Sequence, residues 1–393
     1  MRLVWPAIVL ALAVAALVSC SGSTVAVPSA PAAQPATIAG PSGLSPQKPA
    51  TITRKPKRVH PKAITILQNV GVDLPTMGIT YSGCDYSCVY QMFFTPAIMS
   101  DINSNLEADY VRSGWIPTWV DNEPVKWQRE DQFMDNACNA GLSVMVIVPG
   151  INDDAKGEQN LLDSVNDFFS RYTQREPAGC VAWGEIVNEA NLPQNGYPNV
   201  SDYAAYYEQA AAIVASYGVP VITSGTSGED TTWTSDLSSL LQAAQPIPPL
   251  NGFGFHPYGV PVDQMFDATL AMQKAAGVWT WWDGTCAGTC IYVTEIGQNN
   301  ATDLYDTVIN LFTATPTVTI YEYKAQPGEN PQYGLTNNPA LYSAAQSAFE
   351  YVHENQPSSR RIPGSSRPGA LHLPLTSIQT FTGTVTSLNP SKP

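Results

Sequence analysis

The chain predicts an α/β fold, a (β/α)8 TIM barrel, on three observations. Short apolar runs suited to buried parallel strands recur eight times, amphipathic stretches at helical spacing separate many of them, and two of the runs close on a carboxylate. The runs are residues 77–81, 110–112, 143–148, 181–187, 220–223, 252–255, 291–294 and 317–321. Residues 201–217 show what lies between them: Ser201-Asp202 opens a helix, apolar residues follow at helical spacing, and Gly218 marks its end. A helix over 340–354 closes the ring. Alternating strand and helix order favours a closed barrel over an open sheet. The 106 residues from Glu189 to Glu295 fit three βα units of roughly 30 or more residues each. Those two acids therefore belong at the carboxyl ends of strands 4 and 7, where barrel enzymes keep their chemistry.

The 393 residues divide by composition. Residues 1–20 read as an export signal, with Arg2 ahead of an apolar run over 3–18 that is short for a permanent membrane span. The run ends in Leu17-Val18-Ser19-Cys20, which resembles the bacterial lipobox and implies cleavage before Cys20 and lipidation of its thiol. An ordinary signal peptide or membrane anchor is the alternative. Residues 21–62 form a Pro/Ser/Ala-rich tether that carries the basic stretch Arg54-Lys55-Pro56-Lys57-Arg58, suited to anionic headgroups or to plain solvation. Residues 63–356 are the expected barrel domain, and residues 357–393 a Pro/Ser-rich tail expected to be disordered. These readings imply an extracytoplasmic protein, either a cell-envelope lipoprotein or secreted.

Lys and Arg number 7 before residue 63 and 4 after residue 356, which leaves 8 in the core against all 33 acids. A field of that sign repels nucleic acid and polyanionic polysaccharides and leaves neutral glycans as compatible partners. Seven cysteines less Cys20 leave six, an even number that favours disulfides in an exported chain. Spacing suggests Cys84 with Cys88 and Cys286 with Cys290. Cys138 and Cys180, ahead of strands 3 and 4, are left to meet where neighbouring strands start. A zinc site is the poorer reading, because within the core only His256 and His353 are histidines and neither has finger spacing from a cysteine. No metal and no cofactor are expected. Oligomeric state is not legible in the chain.

A sugar-cleaving site of the retaining kind needs one protonated carboxylic acid and one ionised carboxylate about 5 to 5.5 Å apart. Asn188-Glu189-Ala190-Asn191 resembles the Asn-Glu-Pro-Asn signature of glycoside hydrolase clan A, with Ala190 in place of the proline, and Trp183-Gly184-Glu185-Ile186 adds one residue to that clan's Trp-Glu-Ile run. His256-Pro257-Tyr258 resembles its His-x-Tyr element, Thr294-Glu295-Ile296-Gly297 its nucleophile strand, and Tyr110-Val111-Arg112 its strand 2 arginine. Gln332-Tyr333-Gly334-Leu335 resembles the turn after its strand 8. The resemblance covers residues 76–355. It implies that Glu189 is the acid/base, Glu295 the nucleophile, Asn188 a ligand for the sugar 2-hydroxyl, and Arg112 and Tyr258 supports of Glu295, with His256 on substrate or on Glu189. On strand 8 the clan presents a tryptophan beneath the reacting sugar, where this chain offers Tyr321.

Flat apolar sugar faces favour aromatic platforms at loop ends. Trp115, Trp119, Trp233, Trp279, Trp281 and Trp282 are candidates, with Trp119 and Trp282 placed in the substrate site, and two of the six expected in the cleft. Glu185, inside its strand, reads as structural. Gly225-Thr226-Ser227-Gly228 lacks both the nucleophile elbow and a histidine partner, which argues against a serine hydrolase. The reading is a glycosidase that hydrolyses O-glycosyl bonds of a neutral β-linked poly- or oligosaccharide. The alternative is a surface glycan-binding lipoprotein that has lost turnover.

Overall fold

The computed structural model describes residues 69–115, 124–150, 158–175, 180–197, 199–277, 290–312, 314–327 and 331–355. Eight parallel strands, β1 (Asn69–Asp73), β2 (Tyr110–Gly114), β3 (Ser143–Val148), β4 (Val181–Ile186), β5 (Val221–Ser227), β6 (Gly252–His256), β7 (Ile291–Ile296) and β8 (Thr317–Ile320), close into a barrel in sequence order. The ring shuts where β1 pairs with β8, Val70 opposite Val318. Helices lie between the strands: α1 (Tyr86–Phe93), α2 (Pro96–Ser104), α3 (Pro124–Asn139), α4 (Glu158–Thr173), α5 (Val200–Ser216), α6 (Thr231–Ala243), α7 (Met265–Ala276), α8 (Ala301–Leu311) and α9 (Pro339–Asn355). Their starts are set by the sequence. Asp85, Thr95, Asn199, Asp230 and Asn300 each accept a backbone N–H of the first turn.

Seven strands fall on the expected runs, and the first does not. Residues 77–81 form a loop in which Gly78 takes a positive φ of 79° and Met77 makes one isolated bridge to Trp115. The strand is the less apolar Asn69–Asp73. Its Gly71 is required by packing: a Cβ there would lie 2.5 Å from the Tyr110 ring. That ring meets Trp183 edge-on with centroids 5.4 Å apart, and its hydroxyl pairs with Thr319 Oγ1 at 2.6 Å. Tyr110, Met145, Trp183, Ile222 and Tyr292 plug the barrel interior, while a larger apolar layer fills the space between strands and helices.

Two of the expected disulfides are formed, Cys84–Cys88 and Cys138–Cys180. Cys290 is also disulfide-bonded; Cys286 lies outside the described residues. So do Cys20, the export signal, the tether, the tail, Trp119, Trp279, Trp281 and Trp282.

Candidate active site

Alternation along each strand builds the site directly above the aromatic plug. Side chains two residues apart share a face, so Tyr110, Trp183 and Tyr292 of the plug imply Arg112, Glu185 and Thr294 in the next layer, and Gly71 implies Asp73. The interatomic distances agree. Arg112 is 1% exposed and spends all five guanidinium N–H groups on this layer. Nε and Nη2 donate to Glu185 at 2.7 and 3.2 Å, Nη2 to Asn188 Oδ1 at 2.6 Å, and Nη1 to Glu295 Oε2 at 2.8 Å and Asp73 Oδ1 at 3.2 Å. A buried guanidinium so bound fixes the geometry of four neighbours at once.

Glu295 occupies β7 where its register with β8 slips between Val293 and Ile296, an irregularity of the kind that re-aims a side chain. Its second oxygen accepts from the Tyr258 hydroxyl at 2.8 Å. Burial and the charge of Glu295 raise that phenol well above its ordinary value, so it stays a donor. Tyr321 at the end of β8 lies close enough to Tyr258 to act on its ionisation. Arg112, holding Asn188 by its oxygen, leaves the amide N–H2 of Asn188 directed away from the guanidinium.

Glu189 follows β4 on a stretch of unusual backbone. Val187 and Glu189 have φ of 67° and 48°, each a conformation costing about 1–3 kcal/mol for a residue with a Cβ. Surrounding bonds hold it there: Val187 N donates to Val148 O at 3.0 Å, and Asn195 Nδ2 to the carbonyls of Asn188 and Glu189 at 3.2 and 3.0 Å. Ala190 N donates to Ser224 Oγ at 2.7 Å, a bond that a proline at this position would lack. Asn191 is structural. It accepts from Ser227 N at 2.9 Å and donates to Ser227 O at 3.2 Å, tying the motif to β5.

His256, fully buried, joins the two halves of the site. Its Nδ1 lies 3.1 Å from Glu189 Oε1 and its Nε2 2.9 Å from Thr294 Oγ1, whose hydroxyl donates to Glu185 Oε1 at 3.0 Å. Burial opposes a charged ring, but the charge of Glu295 and the pairing with Glu185 and Glu189 raise its pKa to about 9. Both ring nitrogens are then donors, and each has an acceptor. Burial likewise opposes a charged Glu185, yet Arg112 and His256 hold it at about 2. For Glu189, burial is again outweighed, and His256 keeps the carboxyl below its ordinary value.

His256 fits only because β5 has a glycine against its ring. A Cβ on Gly225 would lie 2.2 Å from His256 Nε2 and 2.7 Å from Thr294 Oγ1. We expect Gly225→Ala to destabilise the fold by about 1–3 kcal/mol through overpacking, read as a lowered melting temperature. An unchanged melt would show that His256 has room to move.

The structure brings together Arg112, Asn188, Glu189, His256, Tyr258 and Glu295, and sets Tyr321 beside them. It does not bring Trp115, which is 2% exposed and stacked on Phe168 at 4.1 Å between centroids. Trp233 is half-buried and packs on Tyr203. The sequence reading missed Asp73 altogether, along with its strand, and missed Thr294 as the link from Glu185 to His256. Asp73 also closes its strand, but the Val70-Gly71-Val72 run before it is weaker than those before Glu189 and Glu295. A cleft of about 970 Å³ opens beside Tyr258, with Phe266, Tyr333, Gln298, Asn299 and Asn310 among its lining and no cationic side chain among the described residues.

No protein-family model matches the chain, and no curated protein matches it by sequence. The fold is similar to that of solved structures. One is a GH5-4 broad specificity endoglucanase from Clostridium longisporum, with TM-score 0.50 and 12% identity over 72% of this chain and 97% of that one. Another is a GH30 endoxylanase from Clostridium papyrosolvens C71, with TM-score 0.50 and 12% identity over 78% of this chain and 74% of that one. What is shared at that identity is the (β/α)8 barrel.

Proposed function

We propose that the protein is a retaining glycoside hydrolase that cleaves O-glycosidic bonds of a neutral β-linked polysaccharide or oligosaccharide. The observation that carries this reading is a pair of carboxylates at the ends of β4 and β7 with different anchors. Glu295 is held by the Arg112 guanidinium and the Tyr258 phenol, Glu189 by the His256 ring. Each carboxylate is thereby oriented by donors of its own, as a paired nucleophile and proton donor require. In this mechanism Glu295 attacks the anomeric carbon while Glu189 protonates the departing oxygen. Glu189 then takes a proton from the water that releases the sugar, so that two inversions give net retention. Asn188, with its amide N–H2 free of Arg112, suits a sugar hydroxyl. The amides, rings and acids of the adjoining cleft suit a hydroxyl-rich, uncharged chain. The disulfides support an oxidising, extracytoplasmic location, and we assign export to residues 1–20 with lipidation at Cys20.

The test is reducing-sugar release from a panel of β-glucans, mannans and xylans between pH 3 and 7, with proton NMR of the first anomer formed. Release of the β-anomer from a β-glycan is expected. Binding without release would point to a glycan-binding protein, and the α-anomer to an inverting enzyme.

The pH profile follows from His256. Turnover requires Glu189 protonated and Glu295 ionised. His256 is a cation below about pH 9 and favours the ionised form of Glu189, so kcat/KM should fall as pH rises through the carboxylate range. We expect His256→Asn, which removes the cation, to shift that alkaline limb to higher pH. An unmoved limb would mean that His256 does not set the acidity of Glu189.

A further inference from the structure

Asp73 is the carboxylate in the layer that nothing above employs. It ends β1 opposite Arg112 in register, and its side chain is 11% exposed. Its Oδ1 takes the same Arg112 nitrogen as Glu295 Oε2, so the two carboxyl groups converge on one N–H2 at the barrel mouth. Its Oδ2 accepts no hydrogen bond from the described residues and is not among the buried side-chain atoms that lack a partner. One oxygen is therefore anchored and the other is accessible beside Glu295.

As a counter-ion Asp73 is superfluous. Arg112 already faces Glu185 and Glu295, and a third carboxylate adds repulsion without adding a donor. The effect is visible: burial, partly offset by Arg112 and reinforced by Glu295 and Glu185, raises the Asp73 carboxyl to about 7. A neutral acceptor would satisfy Arg112 at less cost. A position that costs stability and leaves a polar atom open at the mouth of a site is characteristic of a group kept for binding.

We propose that Asp73 is a substrate-binding residue whose Oδ2 hydrogen-bonds a hydroxyl of the sugar held over Glu295, so that β1 reads the substrate alongside β4 and β7. This rests on the glycosidase reading above. With Oδ1 committed to Arg112, the proton that Asp73 carries in acid sits on Oδ2, and a sugar hydroxyl accepts from it; once Asp73 is ionised, the hydroxyl donates instead. The contact is kept in both states because a hydroxyl is both donor and acceptor. Asparagine can reproduce the acid-state pattern, its oxygen on Arg112 and its amide on the sugar. Alanine reproduces neither.

The experiment uses the aryl glycoside of the oligosaccharide that the wild-type protein releases, with analogues lacking in turn each free hydroxyl of the sugar bonded to the aryl group. Asp73→Ala should lower kcat/KM on the parent compound by about 10- to 100-fold, and Asp73→Asn by only a few-fold at acidic pH. On one deoxy analogue the loss caused by Asp73→Ala should vanish, while on the others it persists. If Asp73 only steadies Arg112 and Glu295, every analogue suffers the same loss, and the proposal is overturned with the glycosidase reading intact. If the wild-type protein releases nothing from any glycan, that reading falls and this proposal with it. Thermal melts guard against misfolding. Asp73→Asn should melt no lower than wild type at pH 8, because a carboxyl with a raised pKa favours the folded state only in acid and opposes it once ionised. A lower melt at pH 8 would make Asp73 a structural ion and overturn the proposal.

Discussion

Glu295→Gln should lower kcat by about four orders of magnitude or more, the scale on which a nucleophile's removal is felt, while glycan binding is retained. The substitution keeps the volume of the side chain and an oxygen for the Tyr258 hydroxyl or for Arg112 Nη1. What it removes is the charge that attacks the anomeric carbon. Folding should survive, because Arg112 keeps Glu185 as an ionic partner and Asp73 Oδ1 as an acceptor. The measurement is kcat on the glycan found by reducing-sugar release, beside calorimetric affinity for the same glycan and a thermal melt. A variant with lost turnover, intact affinity and an intact melt is the expected result. Wild-type turnover would remove Glu295 from the chemistry, and equal loss of affinity and melting temperature would make it a structural residue.

The same arithmetic explains why one acid is singled out. Four carboxylates, Asp73, Glu185, Glu189 and Glu295, surround two cations, Arg112 and His256. Glu185 is held at about 2 by both cations against the cost of its burial, and it touches no open space. Its task is to orient Arg112 toward Glu295 on one side and, through Thr294, His256 toward Glu189 on the other. One buried anion thus orients the cation beside each of the two carboxylates.

Most of this was legible in the sequence because it depends on period and position. Apolar runs of strand length give β2 to β8. Acids at the ends of two of them give Glu189 and Glu295, and the helix over residues 201–217 is found within one residue as Val200–Ser216. What was illegible depends on packing across the barrel. β1 has a glycine and two terminal polar residues because Tyr110 fills the space that a larger residue at 71 would occupy, so its run reads as too weak for a buried strand. Trp115 follows β2, where the sequence suggests a sugar platform, but Phe168 of α4 stacks on it and Phe169 meets it edge-on. Glu185 is read from the sequence only as an acid inside its strand, and its reach to His256 depends on Thr294, a neighbour from another strand that no local motif announces.

Glu189→Ala tests the other half of the pair, and its signature is a dependence on the leaving group rather than a uniform loss. A group that departs as a stable anion, such as 2,4-dinitrophenolate, needs no proton, so the first step should proceed at close to the wild-type rate. A natural glycosidic oxygen needs one, and turnover of the glycan should fall by about 100- to 10,000-fold. With the activated substrate the second step becomes limiting, because no base remains to deprotonate water. Azide, an anion that requires no base, should then restore turnover and leave a β-glycosyl azide, the configuration that attack on a Glu295-linked α-ester demands. Alanine also removes the carboxyl whose ionisation sets the alkaline limb, so that limb of the pH profile should disappear. If azide fails to accelerate the variant and every leaving group slows alike, Glu189 shapes the site without transferring the proton. Acceleration accompanied by an α-azide would instead mean that the glycosyl ester is not formed on the face of the sugar that Glu295 approaches.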